Sequence, residues 1–187
     1  MVAHQAGERH GGGDFVSPIA ISPFEPQYYL RMNQTYLLAV GIGFVAGLRS
    51  LTAPAAVSWA ARLGWLNLHG SPLAFMGSAV AVAIFSLLAG LEYVADLLPR
   101  TPNRTKPGPL ITRIFTGALS GVCLAVSAGD SSTVAAVLGG IGAVVGTFAG
   151  YQARTRLVSG LKVKDVFVAI PEDLVAIGLA YLMVSPR

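Results

Sequence analysis

Ionisable residues that interrupt apolar stretches are the best candidates for chemistry in this 187-residue chain. They are Arg49, Glu92, Asp96, Glu172 and Asp173. A charge at the centre of a bilayer costs about 2.5–3.5 kcal/mol on insertion scales, so such side chains usually face a protein interior or a water-filled cavity. Their placement predicts a polar pathway for a proton, another ion or a small solute.

The four acids also have a purely structural interpretation, which the sequence leaves open. Glu92 and Asp96 are four residues apart, so they share one face of a helix and could pair with arginines at the headgroups. Glu172 and Asp173 follow Pro171, and a proline followed by acids suits the start of a helix and its dipole.

Arg49 is the most informative residue of this set, because it lies deepest within an apolar stretch. At about 1.5 Å per residue from Thr35, it lies roughly 20 Å into the first apolar stretch. The hydroxyl and proline residues that follow are typical of a new helix start. We therefore predict two half-helices broken around Arg49 and Ser50, with Glu92 as the partner of Arg49. The alternative is a shorter span that ends near Leu48 and continues as an interfacial segment.

The elements that position these residues follow from composition. Hydrophobic residues make up 53% of the chain and charged residues 12%, about half of the roughly 25% charged residues usual in soluble domains. This balance excludes a soluble globule. Lys and Arg flank apolar segments instead of clustering with stacking aromatics, so no nucleic-acid partner is predicted. The expected partners are the lipid bilayer and a small solute or ion.

Five stretches approach the roughly 20 apolar residues that a membrane helix needs. They are residues 35–60, 72–98, 110–128, 133–151 and 166–184. We predict an all-α, polytopic membrane bundle of about five spans over residues 32–187. Residues 1–31, rich in Gly, Pro and His, are predicted to be a disordered tail, and translation could start at Met1 or Met32.

The bias of Lys and Arg between connections predicts the orientation. With five spans, the N-terminus and the second and fourth connections share one side. That side carries Arg9, Arg31, Arg100, Arg104, Lys106, Arg113, Arg154, Arg156, Lys162 and Lys164, against Arg62 and Arg187 on the other. The prediction is an inner-membrane protein with a cytoplasmic N-terminus.

Two segments of the chain resemble each other weakly. GFVAGLRSLTAP from Gly43 and GTFAGYQARTRL from Gly146 share a small–aromatic–Ala–Gly pattern and a trailing arginine. With one span between the halves, a repeat would be inverted, as in many transporters. A chance likeness between Gly- and Ala-rich segments is the alternative.

A glycine stripe runs along the fourth stretch. Gly142, Gly146 and Gly150 recur every four residues, and small residues on one stripe let helix backbones approach closely. This pattern predicts helix packing, either within the chain or between copies in a homo-oligomer. The second hypothesis for function is therefore a structural or assembly protein that associates through this helix.

Motifs for enzymatic chemistry are missing from the sequence. It contains no nucleophile elbow, P-loop or dinucleotide-binding fingerprint, and its three His residues show no metal-ligand spacing on a helix. We predict no enzyme activity, no cofactor and no metal.

Three motifs resemble one family. GLRSLTAP, EYVADLLPRTPNRT and PEDLVAIGLAYL look like those of the family known as domain of unknown function 4126, and the similarity covers about residues 32–184. The resemblance implies a small bacterial inner-membrane protein and a start near Met32, and it assigns no activity. Our leading functional hypothesis is a small transporter or channel whose site contains Arg49, Glu92 and Glu172, with Asp96 and Asp173 in support.

Overall fold

The computed structural model describes residues 26–96, 106–161 and 166–186, and the regular structure within these ranges is entirely helical. The elements are α1 (Pro26–Leu48), α2 (Thr52–Arg62), a short 3-10 helix (Pro72–Gly77), α3 (Ala79–Asp96), α4 (Pro107–Ala128), α5 (Ser132–Leu161) and α6 (Val166–Val184). The all-α prediction is confirmed for this part of the chain. The predicted tail lies outside the described residues up to residue 25, and α1 begins at Pro26, inside the predicted tail.

Helices α1, α4 and α5 lie with their backbones close together, and we call these three helices the core. Side chains of α2 and α6, such as Val57 and Ala180, complete the buried apolar cluster. A Cβ added at Gly43 of α1 would collide with the backbone of Gly139 in α5, and one added at Gly117 of α4 would meet the same carbonyl. The predicted glycine stripe lies at this junction: Gly142 and Gly146 face the backbone of α1 at Val40 and Phe44. Glycine is needed here because any side chain would push the helices apart.

These close approaches also fix the relative directions of the three helices. Gly121 lies against Ala39 near one end of the core, and Arg113 donates to the carbonyl of Gly47 near the other. Since α1 ascends from residue 39 to 47 while α4 runs from 121 to 113, the two helices are antiparallel. By contrast, α5 runs in the same direction as α1, because Val40 faces Gly142 and Phe44 faces Gly146.

Helix α2 returns toward the end of the bundle from which α1 came. Thr52 at its start bonds Tyr93 near the end of α3, whereas Trp59 one to two turns on bonds Ser86. After α2, the backbone N–H of Asn67 donates to Ser127 at the end of α4, 2.9 Å away. The chain therefore makes a helical hairpin at residues 49–51, so a single broken span over residues 35–60 is the wrong description. The break itself is where the sequence predicted it.

The bundle has two ends, which differ in the residues they carry. The tip end carries the hairpin turn, the end of α3 and the start of α4, and the far end carries Asn67 and Ser127. The first part of α1 lies toward the far end, whereas Arg113 lies toward the tip end. The prediction that the N-terminal side shares an end with the basic connections is therefore wrong. Since α1 and α5 run the same way, the inverted orientation predicted for a repeat is wrong for this pair too.

Two described helices are long and apolar enough, by length and composition, to cross a membrane: α4 over 107–128 and α5 over 132–160. Helix α3 is apolar but shorter. Large apolar side chains also lie on the outside of the bundle, and Leu37, Phe115 and Leu174 are each about two-thirds exposed or more. These features support a membrane protein.

Candidate functional site

The hairpin tip at residues 49–51 contains backbone groups that need hydrogen-bond partners, because one helix ends and another begins there within the bundle. Such ends leave N–H and C=O groups without intrahelical partners. Arg113 lies six residues after the start of α4, so at about 1.5 Å per residue the tip is roughly 9 Å inside the tip end. The partners of the tip must therefore come from neighbouring helices.

Glu92 of α3 supplies the acceptors for the start of α2. Its Oε1 accepts hydrogen bonds from the backbone N–H and the hydroxyl of Ser50, both at 2.8 Å, and its Oε2 accepts from the N–H of Leu51 at 2.9 Å. Leu51 has no capping side chain of its own. The carboxylate thus caps the two backbone N–H groups just before α2 and places a negative charge at the positive end of the helix dipole.

Arg113 of α4 supplies the donor for the end of α1. Its Nη1 donates to the carbonyl of Gly47 and lies 3.3 Å from the carbonyl oxygen of Leu48. Its Nη2 lies 3.8 Å from Glu92 Oε1. A positive charge at the C-terminal end of α1 complements its dipole. The two caps are opposite charges that also neutralise each other.

Arg49 makes a second ion pair at the tip. Its side chain is completely buried, and its Nη2 pairs with Oδ1 of Asp173 on α6. The guanidinium carbon also lies 5.5 Å from the ring centroid of Tyr93, within the range of a cation–π contact. The hydroxyl of Tyr93 is 2.6 Å from Thr52 Oγ1. The ion pair with Asp173 connects α6 to the hairpin tip, and the contact with Tyr93 connects the tip to α3.

Glu172 lies next to Asp173 in sequence but serves a different contact. Its Oε2 lies 3.6 Å from Nη1 of Arg154 on α5. This pair lines a cleft of about 450 Å³ between α1, α5 and α6, with Leu48 at its inner wall. A second cleft, of about 370 Å³, runs on the other side of α6 from Thr52 and Tyr93 to Val184.

The predicted site is therefore brought together only in part. Arg49, Glu92 and Asp173 meet around the hairpin tip, whereas Glu172 lies at the cleft with Arg154. The predicted pairing of Arg49 with Glu92 is wrong: Arg49 pairs with Asp173, and Glu92 serves Ser50, Leu51 and Arg113. Asp96 ends α3, and its side chain lies outside the described part of the structure. Gly150 also lines the cleft.

Arg113 is the main residue that the sequence analysis missed, because it was counted among the basic residues flanking the spans. The rule that identified Arg49, an arginine within an apolar stretch, applies equally to Arg113. The signal was Pro107: a proline in the first helical turn starts α4 earlier and places Arg113 almost two turns inside it. Tyr93 gave no comparable signal.

The fold and the site define a protein whose described part is helical and apolar, with a helical hairpin whose tip is capped by charged side chains that are buried or nearly so. Residues 36–185 match the family described as "Domain of unknown function (DUF4126)". The chain belongs to this family. No curated protein and no solved structure matches the chain.

Proposed function

We propose that the chain is a multi-pass protein of the bacterial inner membrane that carries an ion or a small solute. The five long helices α1 and α3–α6 cross the bilayer, and α2 returns the chain as a half-helix. The apolar composition, the two helices of spanning length and the exposed apolar side chains support this arrangement.

The orientation follows from the charges at the two ends of the bundle. Lys106, Arg113, Arg154 and Arg156 lie on the parts of α4 and α5 toward the tip end, where the basic connections of the sequence also join. Arg62 is the last residue of α2, on the side of the far end. By the positive-inside rule, the tip end faces the cytosol and the start of α1 faces outward.

The buried charge at the hairpin tip is the observation that carries the transport proposal. Arg49 and Arg113 are almost completely buried, and the carboxylates of Glu92 and Asp173 are 13% and 17% exposed. Ionised residues at membrane depth are costly and commonly line ion or solute pathways. Helix ends at membrane depth are a recurrent feature of transporter sites, where they hold ions and charged substrates.

The clefts beside α6 give the hairpin tip a way to open toward the outside of the bundle. Cleft space flanks α6 on both sides, and the Arg49–Asp173 pair joins α6 to the tip between the two clefts. Protonation of Asp173 or Glu92 would remove one partner of an ion pair and weaken the hold on the tip. A proton is therefore the simplest ion that this site could exchange.

Proton flux into proteoliposomes tests the proposal directly. Protein is reconstituted with a pH-sensitive dye inside the vesicles, and a potassium gradient with valinomycin sets the driving force. We expect the parent to acidify the lumen faster than protein-free vesicles, and Glu92→Gln and Asp173→Asn each to slow this about tenfold. Asp130→Asn, in the turn between α4 and α5, is the matched acidic control and should leave flux unchanged.

Folding is checked in the same samples by helical circular dichroism and size-exclusion chromatography. Because the two variants act on different ion pairs, one folded variant is enough for the comparison. A parent with no flux above empty vesicles, or folded variants with parental flux, would contradict the proposal.

A further inference from the structure

We propose that the cleft between α5 and α6 binds one anionic phospholipid, with an acyl chain along its apolar walls and the phosphate against Arg154. This rests on the membrane location proposed above but not on transport. The charged pair of this cleft, Arg154–Glu172, is distinct from the ion pairs of the hairpin tip.

The walls of the cleft suit a hydrocarbon chain. They are formed by apolar side chains of three helices, including Phe44, Leu48, Leu157 and Val175. Small residues of α5 make the space, since Ala149, Gly150 and Ala153 line it where larger side chains would fill it. The volume of about 450 Å³ is within the roughly 300–1,000 Å³ usual for small-molecule sites.

The open side of the cleft points to lipid instead of water. Leu157 and Val175 line the cleft and are also 46% and 55% exposed on the outer surface. Leu174 beside them is about two-thirds exposed. A ligand that enters here must pass between apolar side chains, which favours a bilayer lipid over a soluble anion.

Arg154 lies at the depth of a lipid headgroup. About 20 residues of helix cross the hydrocarbon core, and counting from Ser132 this length ends near Tyr151, one turn before Arg154. Helix α5 contains no acidic residue, and Arg156 follows two residues later. The charge at this end of α5 is therefore positive and complements an anionic headgroup.

Glu172 lies beside Arg154 and lowers the affinity of the site for a phosphate group. Its Oε2 is 3.6 Å from the Arg154 guanidinium, and both side chains are less than one-fifth exposed. A guanidinium carries five N–H donors in a planar fork, so it can contact a carboxylate and a phosphate oxygen together. The carboxylate opposes the phosphate electrostatically, which limits the affinity.

Lipid titrations followed by native mass spectrometry test the site. The full-length protein in detergent is titrated with phosphatidylglycerol and, separately, with phosphatidylcholine. We expect the parent to prefer phosphatidylglycerol and Arg154→Gln to weaken its binding about tenfold, the loss of roughly one charge-assisted hydrogen bond. Arg156→Gln, two residues away and outside the cleft lining, is the matched control and should change binding less than about twofold.

Glu172→Gln gives the decisive comparison. It should strengthen phosphatidylglycerol binding, because it removes the opposing charge and leaves Arg154 in place. If the ion pair only holds α5 against α6, both substitutions would instead change lipid binding in the same direction, and this result would overturn the proposal. Equal binding of the two lipids by the parent would overturn it as well.

A cleft-filling variant tests the acyl-chain part independently of charge. Ala153→Phe should weaken binding of both lipids, whereas Ala83→Phe on the exposed surface of α3 should not. Parental binding by Ala153→Phe would show that the chain lies elsewhere. Proton flux depends on Glu92 and Asp173, so either proposal can fail without the other.

Discussion

The core formed by α1, α4 and α5 and the surroundings of α6 are held together in different ways. In the core, glycines bring helix backbones into direct contact, as at Gly43 and Gly139. Helix α6 instead contacts its neighbours through side chains: the Arg49–Asp173 and Arg154–Glu172 ion pairs, the edge-to-face contact of Tyr181 with Trp65, and buried apolar side chains such as Ala180 and Val184. Clefts flank it on both sides.

This difference indicates which part of the bundle can move. Close backbone packing has many small contacts that are lost together, so it resists sliding. Ion pairs with space beside them can exchange partners when a proton or ligand arrives. We therefore expect the core to be a fixed scaffold and α6 to be the helix whose position responds to ligands, with the hairpin tip as the junction between them.

The largest expected effect is a methyl group placed in the core. Gly43→Ala puts a Cβ against the backbone of Gly139, where neither helix can yield without separating. We expect a loss of about 3 kcal/mol in the free energy of unfolding, at the upper end for overpacking. SDS-induced unfolding in mixed micelles, followed by circular dichroism, measures it.

Gly178→Ala on α6 is the matched control for that comparison. A Cβ there has no atom within 4 Å, and alanine is favoured over glycine in a helix by up to about 1 kcal/mol. The variant should be as stable as the parent or slightly more stable. Similar losses at both positions would show that the core and α6 are packed equally tightly and would contradict the expected difference between them.

An intermediate effect is expected at the cap of the hairpin tip. Glu92→Gln keeps the size of the side chain, but its amide group can no longer accept from both Ser50 and Leu51 and no longer offsets the charge of Arg113. Removing one charged partner of buried hydrogen bonds costs about 2–3 kcal/mol. The same unfolding measurement applies.

Glu172→Gln provides the comparison at the cleft, where Oε2 of Glu172 lies 3.6 Å from Nη1 of Arg154. This distance is longer than the 2.8 Å and 2.9 Å hydrogen bonds that Glu92 accepts from backbone N–H groups, and such a contact is weaker than a hydrogen bond of normal length, so its loss should be clearly smaller. If Glu172→Gln lowers the free energy of unfolding as much as Glu92→Gln does, the cap stabilises the fold no more than the cleft pair.

The sequence predicts a good part of this arrangement. Apolar stretches with Gly and few charges indicated a helical membrane bundle, and Arg49 within such a stretch marked the break between Leu48 and Thr52. The cost of buried charge also predicted that Arg49, Glu92 and Asp173 turn inward, and their side chains are buried or nearly so. These predictions depend on local composition, which a single sequence contains.

The direction of the chain after the break could not be predicted in the same way. Three residues are enough either to continue a helix along its axis or to reverse it, and the difference depends on contacts such as Thr52–Tyr93 and Asn67–Ser127. Those residues are about 40 and 60 positions apart in sequence. The wrong end for the start of α1 follows from this ambiguity.

The smallest expected effect concerns the hydroxyl of Tyr93, at the border between the tip and the cleft beside α6. Tyr93→Phe removes its hydrogen bond to Thr52, 2.6 Å long, and keeps the ring beside Arg49. We expect a loss of about 1 kcal/mol in the free energy of unfolding. Because the ring remains, the substitution isolates the hydrogen bond from the cation–π contact.

A double-mutant cycle with Thr52→Val measures this bond and sharpens the comparison. Each single variant and the double variant should be similarly destabilised, giving a coupling of about 1 kcal/mol between the two positions. Tyr181→Phe at the far end, where the edge-to-face contact with Trp65 survives, is the control and should show no coupling to Thr52→Val. Additive losses at Thr52 and Tyr93 would mean that α3 does not hold the start of α2 through this hydroxyl, and the hairpin tip would then depend on its ionised caps alone.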